Sequence, residues 1–463
     1  DPVSLLNSNY FRRAYGTDTR RPLHDLSEIK MWRAIHSKRQ LEAVMRDLMF
    51  DHLSVNGLSG FSRWPFYSIM QYEAAIEEHL FGKFEHMVQA SAESAAMLDY
   101  LDQHRSAAGK INENYGREVM ELHTVGDGTY DNNTVIAASN VLTGYMLNID
   151  ARWLPLGGPE QDDWVFEYNG AKHESADKIV TIDDNVTPIV PWVFTGPNGG
   201  PPCGSGNSNQ GELLICLLSE HPATAKRIAE LFVTRFVSED LETAAVATLV
   251  STAAAEYVST SGDLGATLRV VLHDPLFVKG AYYRAKVKRP FAFMASLFRA
   301  LGEGAEGGSE TRFAGHEHGV PSQSNKSFRS LGIYFSLLDE SPYQAVPPIG
   351  YQDDSKVFAS SGGILVRSNF VKQVMVNWDA DWVSKWEFLP TELDDNAVLL
   401  DKLIDRFLPG GIRRTSVVAG QSTRDYVLAS LDAEWPAPSA TNANLRIEHA
   451  TSVLLSTPEF LLH

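Results

Sequence analysis

One stretch of the chain gathers ionisable side chains at helical spacing: Ile111-Asn112-Glu113-Asn114-Tyr115-Gly116-Arg117-Glu118-Val119-Met120-Glu121-Leu122-His123. On an α-helix Glu113, Arg117 and Glu121 share one face at i, i+4 and i+8. Glu118 neighbours Glu121 at i, i+3, while Tyr115, Val119 and Leu122 form the apolar side. Several carboxylates therefore surround one guanidinium. Crowded carboxylates split their proton affinities, so that one stays protonated as an acid while another is ionised as base or nucleophile. On that reading Glu118 or Glu121 is the general acid/base, the other is the nucleophile or water activator, and Arg117 tunes both. Glu113 completes the face, Asp102 and His52 join it, and His123 and His52 are alternative proton carriers. The competing reading is structural: Arg117 pairs with Glu113 and Glu121 on an exposed or inter-helix face. Spacing alone leaves both open.

Around this face Asn112, Asn114, Tyr115, Trp64 and His173 are the candidate substrate contacts. Trp64, Phe66, Tyr67 and Tyr72 form an aromatic run that could stack on sugar rings or fill a core. A metal site from His52, Asp102, Glu121 and His123 would offer mixed oxygen and nitrogen donors. No recognised ligand spacing supports it, and no metal or cofactor is assigned. Other motifs carry less. There is no His-Glu-x-x-His, P-loop or Gly-x-Ser-x-Gly. Gly302, Gly304 and Gly307 spell Gly-x-Gly-x-x-Gly, but after a helix-like run where a strand is required, and with Glu303 and Glu306 set to repel a pyrophosphate. The basic stretch Arg284, Lys286, Lys288, Arg289 reads as a solvated face. Asp127, Asp131, Asn132 and Asn133 read as a polar turn in which Asn132 or Asn133 caps the next helix.

The elements that must position these residues are mostly helical. Leu41, Val44, Met45, Leu48 and Met49 repeat at three- and four-residue spacing. Similar runs cover 72–89, where Gly82 is placed to end one helix, and 92–101. Helix-like runs return from Pro222, through 241–258 and 291–301, and at 444–462, where a closing helix runs into an apolar tail. Residues 151–211 change character: they hold Trp153, Trp164 and Trp192, strand-like runs at 164–168 and 178–182, a hairpin-like Asn169-Gly170, and a Gly/Pro-rich loop at 196–211. Gly363–Arg367 also looks like a short strand. The expected fold is mainly α: one large multi-helix domain over 1–463, an irregular, partly β insertion at 151–211, and a mobile loop at 302–312.

Composition narrows the partners. The chain has 463 residues, with 40 Lys plus Arg against 58 Asp plus Glu, hence a net charge of −18. That charge opposes binding to nucleic acid and to anionic membranes. No apolar run of 18 residues is present to span a bilayer. Two cysteines, Cys203 and Cys216, are too few for a disulfide scaffold or a zinc site made of cysteine. They form either one bridge or two free thiols.

The same central stretch resembles the signature of the bacterial family known as domain of unknown function 1800, approximately Asn-Glu-Asn-Tyr-x-Arg-Glu-Leu-x-Glu-Leu-x-Thr-x-Gly, here residues 112–126. Phe50-Asp51-His52-Leu53-Ser54-Val55, Leu80-Phe81-Gly82-Lys83-Phe84, Met97-Leu98-Asp99-Tyr100-Leu101-Asp102, Leu142-Thr143-Gly144-Tyr145, His221-Pro222-Ala223-Thr224-Ala225 and Thr457-Pro458-Glu459-Phe460 resemble further family segments in order. Departures are His173-Glu174 for His-Asp, Gly350-Tyr351 for Gly-Trp, and a missing Glu after Lys288-Arg289-Pro290. The resemblance implies a mostly helical, exported protein, secreted or periplasmic, with a mature start at Asp1 after signal removal. It supplies no established reaction. Two functions are carried forward: a carbohydrate-active hydrolase or lyase acting on extracellular polysaccharide, and a non-catalytic binding or surface-assembly protein in which the Arg117 network is structural.

Overall fold

The structure, a computed structural model, describes residues 21–58, 65–149, 164–201, 203, 209–283, 285–302, 335–377, 382–408, 411–412, 417–418 and 421–462. It is mainly α-helical, as expected. By its contacts the chain divides into two compact units, where the sequence reading treats 1–463 as one domain. The first comprises residues 1–27, 39–279 and 343–352; the second comprises 28–38, 280–342 and 353–463.

The first unit contains helices Gln40–His52, Pro65–Glu78, Phe84–Ala92, Ala95–Tyr100, Glu113–Glu118, Asn132–Val141, Gln210–Glu220, Pro222–Phe236, Ala244–Ser259 and Leu264–His273. The break between Glu78 and Phe84 falls at Gly82, as expected. Asn132–Val141 is capped by Asp131, whose carboxylate accepts from the Thr134 amide at 2.8 Å. The cap is thus one residue before the expected Asn132 or Asn133, because an aspartate at N-cap already satisfies the free amide of the first turn. Pro222 opens its helix, with the His221 ring Nδ1 accepting from the Ala223 amide at 3.1 Å.

Strands occur where the insertion is expected, but their pairing differs. Trp164–Tyr168 pairs antiparallel with the earlier Tyr145–Ile149, and Lys178–Val180 pairs with the later Trp192–Phe194. Asn169-Gly170 is therefore a turn after a strand rather than a hairpin loop, since the strands on its two sides take other partners. The Gly/Pro-rich loop ends at Asn209, not Gly211: Gln210 and Gly211 are already helical and buried. Cys203 and Cys216 form a disulfide with Cα atoms 6.0 Å apart, which resolves the two possibilities.

The second unit is built around helices Pro290–Ala300, Ser361–Asn377, Asn396–Phe407, Thr423–Glu434 and Ala443–Leu454. Its core holds Phe293, Met294, Leu297, Val371, Met375, Leu400, Leu403 and Ile447, each fully shielded from solvent. Gly363–Arg367 is helical, not a strand: it lies in the first two turns of a long helix, and an apolar run as short as Ile364-Leu365-Val366 does not distinguish the two. The basic stretch is not a solvated face either. Lys286 pairs with Asp353 at 3.2 Å and Arg289 with Glu340; Lys286, Arg289 and Glu340 are buried and Asp353 is partly so. Lys288 donates to the Phe460 carbonyl at 2.7 Å and lies over its ring. Arg284, Gly304 and Gly307, and all of the expected mobile loop except Gly302, lie outside the described residues.

Candidate functional site

The ionisable stretch begins as Glu113–Glu118 and then widens into a π-helical turn, Val119–His123. Asn112 caps its start: its side-chain oxygen accepts from the Asn114 amide at 3.0 Å, and its nitrogen donates to the Leu101 and Asp102 carbonyls at 3.2 Å each. Gly116 lets the helix pack tightly, because a Cβ there would lie 2.2 Å from the Ser139 hydroxyl. Asn112 is thereby committed to the fold, while Asn114 is exposed.

The widening changes the expected charge pattern. A π turn has more residues per turn than an α-helix, so the i, i+4, i+8 alignment does not continue past Glu118. Arg117 pairs with Glu113 at 3.5 Å, with 40% and 38% of the side chains exposed, and also donates to Asn132 at 3.4 Å. Glu121 instead accepts from the Tyr130 hydroxyl at 3.2 Å. Glu118 is half-buried, and burial together with the nearby Glu121 charge raises its carboxyl above the ordinary value, against the pull of Arg117. The three carboxylates are thus divided: Glu113 belongs to a surface pair, while the Glu121 charge acts on Glu118. Two half-buried tyrosines flank this pair. Tyr130 donates to Glu121, and Tyr100 lies close enough to Glu118 for its charge to raise the phenol further above the value set by burial.

Behind the pair the π turn is held from inside. Arg227, on Pro222–Phe236, donates to the carbonyls of Glu121, of Leu122 at 3.2 Å and of Thr124 at 3.2 Å. These are the carbonyls that a helix end leaves without partners. Gly126 has φ +93°, and a Cβ there would lie 2.9 Å from the Arg227 side chain. His52 ends its own helix and lies 2.9 Å from the His123 carbonyl through Nε2, which fits a neutral imidazole donating there. Burial, then the Arg227 charge, lowers His52 to about 4 despite that bond. His123 is fully buried, and burial, then His52 and Arg227, lowers it to about 3. Neither His123 ring nitrogen has a partner among the described residues, nor does the hydroxyl of the buried Tyr115, whose ring is centred 6.4 Å away.

The remaining candidates fall elsewhere. Asp102 has a left-handed backbone and pairs with Arg105 at 3.0 Å. His173 is buried; its Nδ1 lies 2.8 Å from the Thr143 carbonyl and its Nε2 3.1 Å from Gln210. Tyr72 is core, donating to the Leu53 carbonyl at 2.5 Å. Trp64 lies outside the described residues, as do the side chains of Phe66 and Tyr67. His52, Asp102, Glu121 and His123 do not form a metal-ligand group among the described residues. Arg227, Tyr130 and Tyr100 were missed by the sequence reading. Arg227 stands two residues beyond the family-like His221–Ala225 segment and Tyr100 inside another such segment, which is the signal that could have raised them.

A family model described as "Protein of unknown function (DUF1800)" matches residues 4–462, nearly the whole chain, and the protein belongs to that family. No curated protein and no solved structure matches it.

Proposed function

We propose that this DUF1800 member is an exported enzyme that uses Glu118 and Glu121 as an acid/base pair on a neutral polymer of the polysaccharide class. The observation that carries the reading is the difference between these two carboxyls. Glu118 is driven toward its protonated form by burial and by Glu121, which suits a general acid. Glu121 receives a hydrogen bond from Tyr130, which suits the partner that acts as base or nucleophile. Tyr100 and Tyr130 give aromatic surface beside the pair, a common means of holding sugar rings. The net charge of −18 favours a neutral ligand over an anionic one. The Cys203–Cys216 bridge fits an oxidising compartment and so supports export.

A specific observation favours the non-catalytic alternative: Asn112 and His173 both spend their side-chain nitrogens on internal partners. The two readings separate on Glu118→Gln and Glu121→Gln. Incubated with a panel of neutral polysaccharides and assayed for new reducing or unsaturated ends, the wild type should release product. Each variant should lose roughly 100-fold or more, the usual worth of a general acid or base, at an unchanged melting temperature. Activity that survives both substitutions would remove these residues from the chemistry, and variants that unfold would favour the structural reading.

A further inference from the structure

The disulfide has a neighbour that a disulfide does not need. Cys216 and Glu220 stand at i and i+4 on helix Gln210–Glu220, so their side chains share one face. Cys203 comes to that face from the preceding loop. One donor atom from each of Cys203, Cys216 and Glu220 lies within 4.8 Å of the other two. Glu220 Oε2 is 3.6 Å from Cys203 Sγ. A bridged sulfur carries no proton, so this approach is not a hydrogen bond and the bridge gains nothing from it.

We propose that reduction of the Cys203–Cys216 bridge creates a zinc site, with the two thiolates and the Glu220 carboxylate as protein ligands and water in the fourth position. Two cysteines alone cannot close a structural zinc site, but here a carboxylate supplies the third donor. Zinc takes both ligand types in tetrahedral geometry, at about 2.3 Å to sulfur and about 2.0–2.2 Å to oxygen. Thiolates on such an ion sit about 3.8 Å apart, a separation that Cα atoms 6.0 Å apart allow with side-chain rotation alone. The exchange balances: a dithiol gives two electrons and two protons to the bridge and becomes a disulfide itself. Zinc then displaces the two thiol protons as it binds. Cys203 would thus be tied to the helix in either state, by the bridge under oxidising conditions and by the ion under reducing ones. This inference does not rest on the carboxylate chemistry proposed above.

The test is a zinc titration of the full chain. The protein is reduced with a phosphine, desalted under nitrogen and titrated with Zn²⁺ against a chelating dye, while circular dichroism follows the fold. The expected result is one ion per reduced chain, bound roughly 100-fold more tightly than by the oxidised chain. Cys216→Ser should abolish that site, and Glu220→Gln should weaken it about tenfold or more. The double variant Cys203→Ser/Cys216→Ser shows whether the fold survives without the bridge and sets the background. Zinc binding no tighter than that background overturns the proposal. So does a reduced chain that unfolds, or a Glu220→Gln chain that binds zinc as the wild type does.

Discussion

Two charged stretches of this molecule behave in opposite ways. Residues 112–123 invite a reading as a dense network around Arg117, yet Arg117 and Glu113 form a half-exposed pair one helical turn apart. Residues 286–289 invite a reading as a solvated basic face, yet Lys286 and Arg289 are buried against Asp353 and Glu340. The first pairing is local and weak, because solvent competes for both groups. The second joins residues 67 and 51 positions apart, which local spacing cannot reveal. Burial, not the density of charge along the chain, decides which pairs the fold depends on.

That contrast can be broken by substitution. The largest effect is expected at Glu340→Gln, which leaves the Arg289 guanidinium buried without its counter-charge. Denaturant melts should show a loss of about 3–5 kcal/mol, and a loss under 1 kcal/mol would mean the pair is dispensable. Acid sensitivity follows. The unfolded chain protonates its histidines near pH 6.5, whereas His52 and His123 in the folded protein hold out to about 4 and about 3. Between those values the unfolded state binds more protons, so stability falls as pH drops from 6.5 toward 3, by on the order of 3–5 kcal/mol for each imidazole. His123→Phe should flatten its share of that slope. It should cost little at pH 7, since its ring nitrogens have no described partner to lose. A large loss at pH 7 would show that the imidazole does have one.

Arg227→Lys comes next. A single ammonium cannot reproduce the two-armed grip on the carbonyls of Glu121, Leu122 and Thr124. The expected loss is about 1–3 kcal/mol, read by thermal melting, with altered amide shifts confined to 119–124. The smallest effect belongs to Glu113→Gln, at about 0.2–0.5 kcal/mol and reduced by salt. A loss above 2 kcal/mol there would restore the network reading of Arg117.

Much of the helical frame was legible because apolar periodicity is a local property. The helix starting at Pro222 and the break at Gly82 both came from local residues. Pairing was not legible: nothing near Asn169-Gly170 indicates that Trp164–Tyr168 bonds back to Tyr145–Ile149. The position of the candidate site was legible at 112–124, but its geometry was not. A π turn leaves the residue types unchanged while rotating those beyond it, so Glu121 turned from Arg117 to Tyr130. Arg227, which satisfies that turn, is 103 to 106 residues away in sequence. His173 looked available because a histidine's type says nothing of whether its nitrogens are already bonded.

The central claim is that burial and the neighbouring Glu121 charge raise the proton affinity of Glu118. It can be measured without knowing the substrate, by following the side-chain carboxyl ¹³C resonances of both residues through a pH titration. The account predicts that Glu118 titrates above the ordinary glutamate value and drops back toward it in the Glu121→Gln variant. A Glu118 that titrates at the ordinary value in the wild type, or that does not respond to Glu121→Gln, would contradict it.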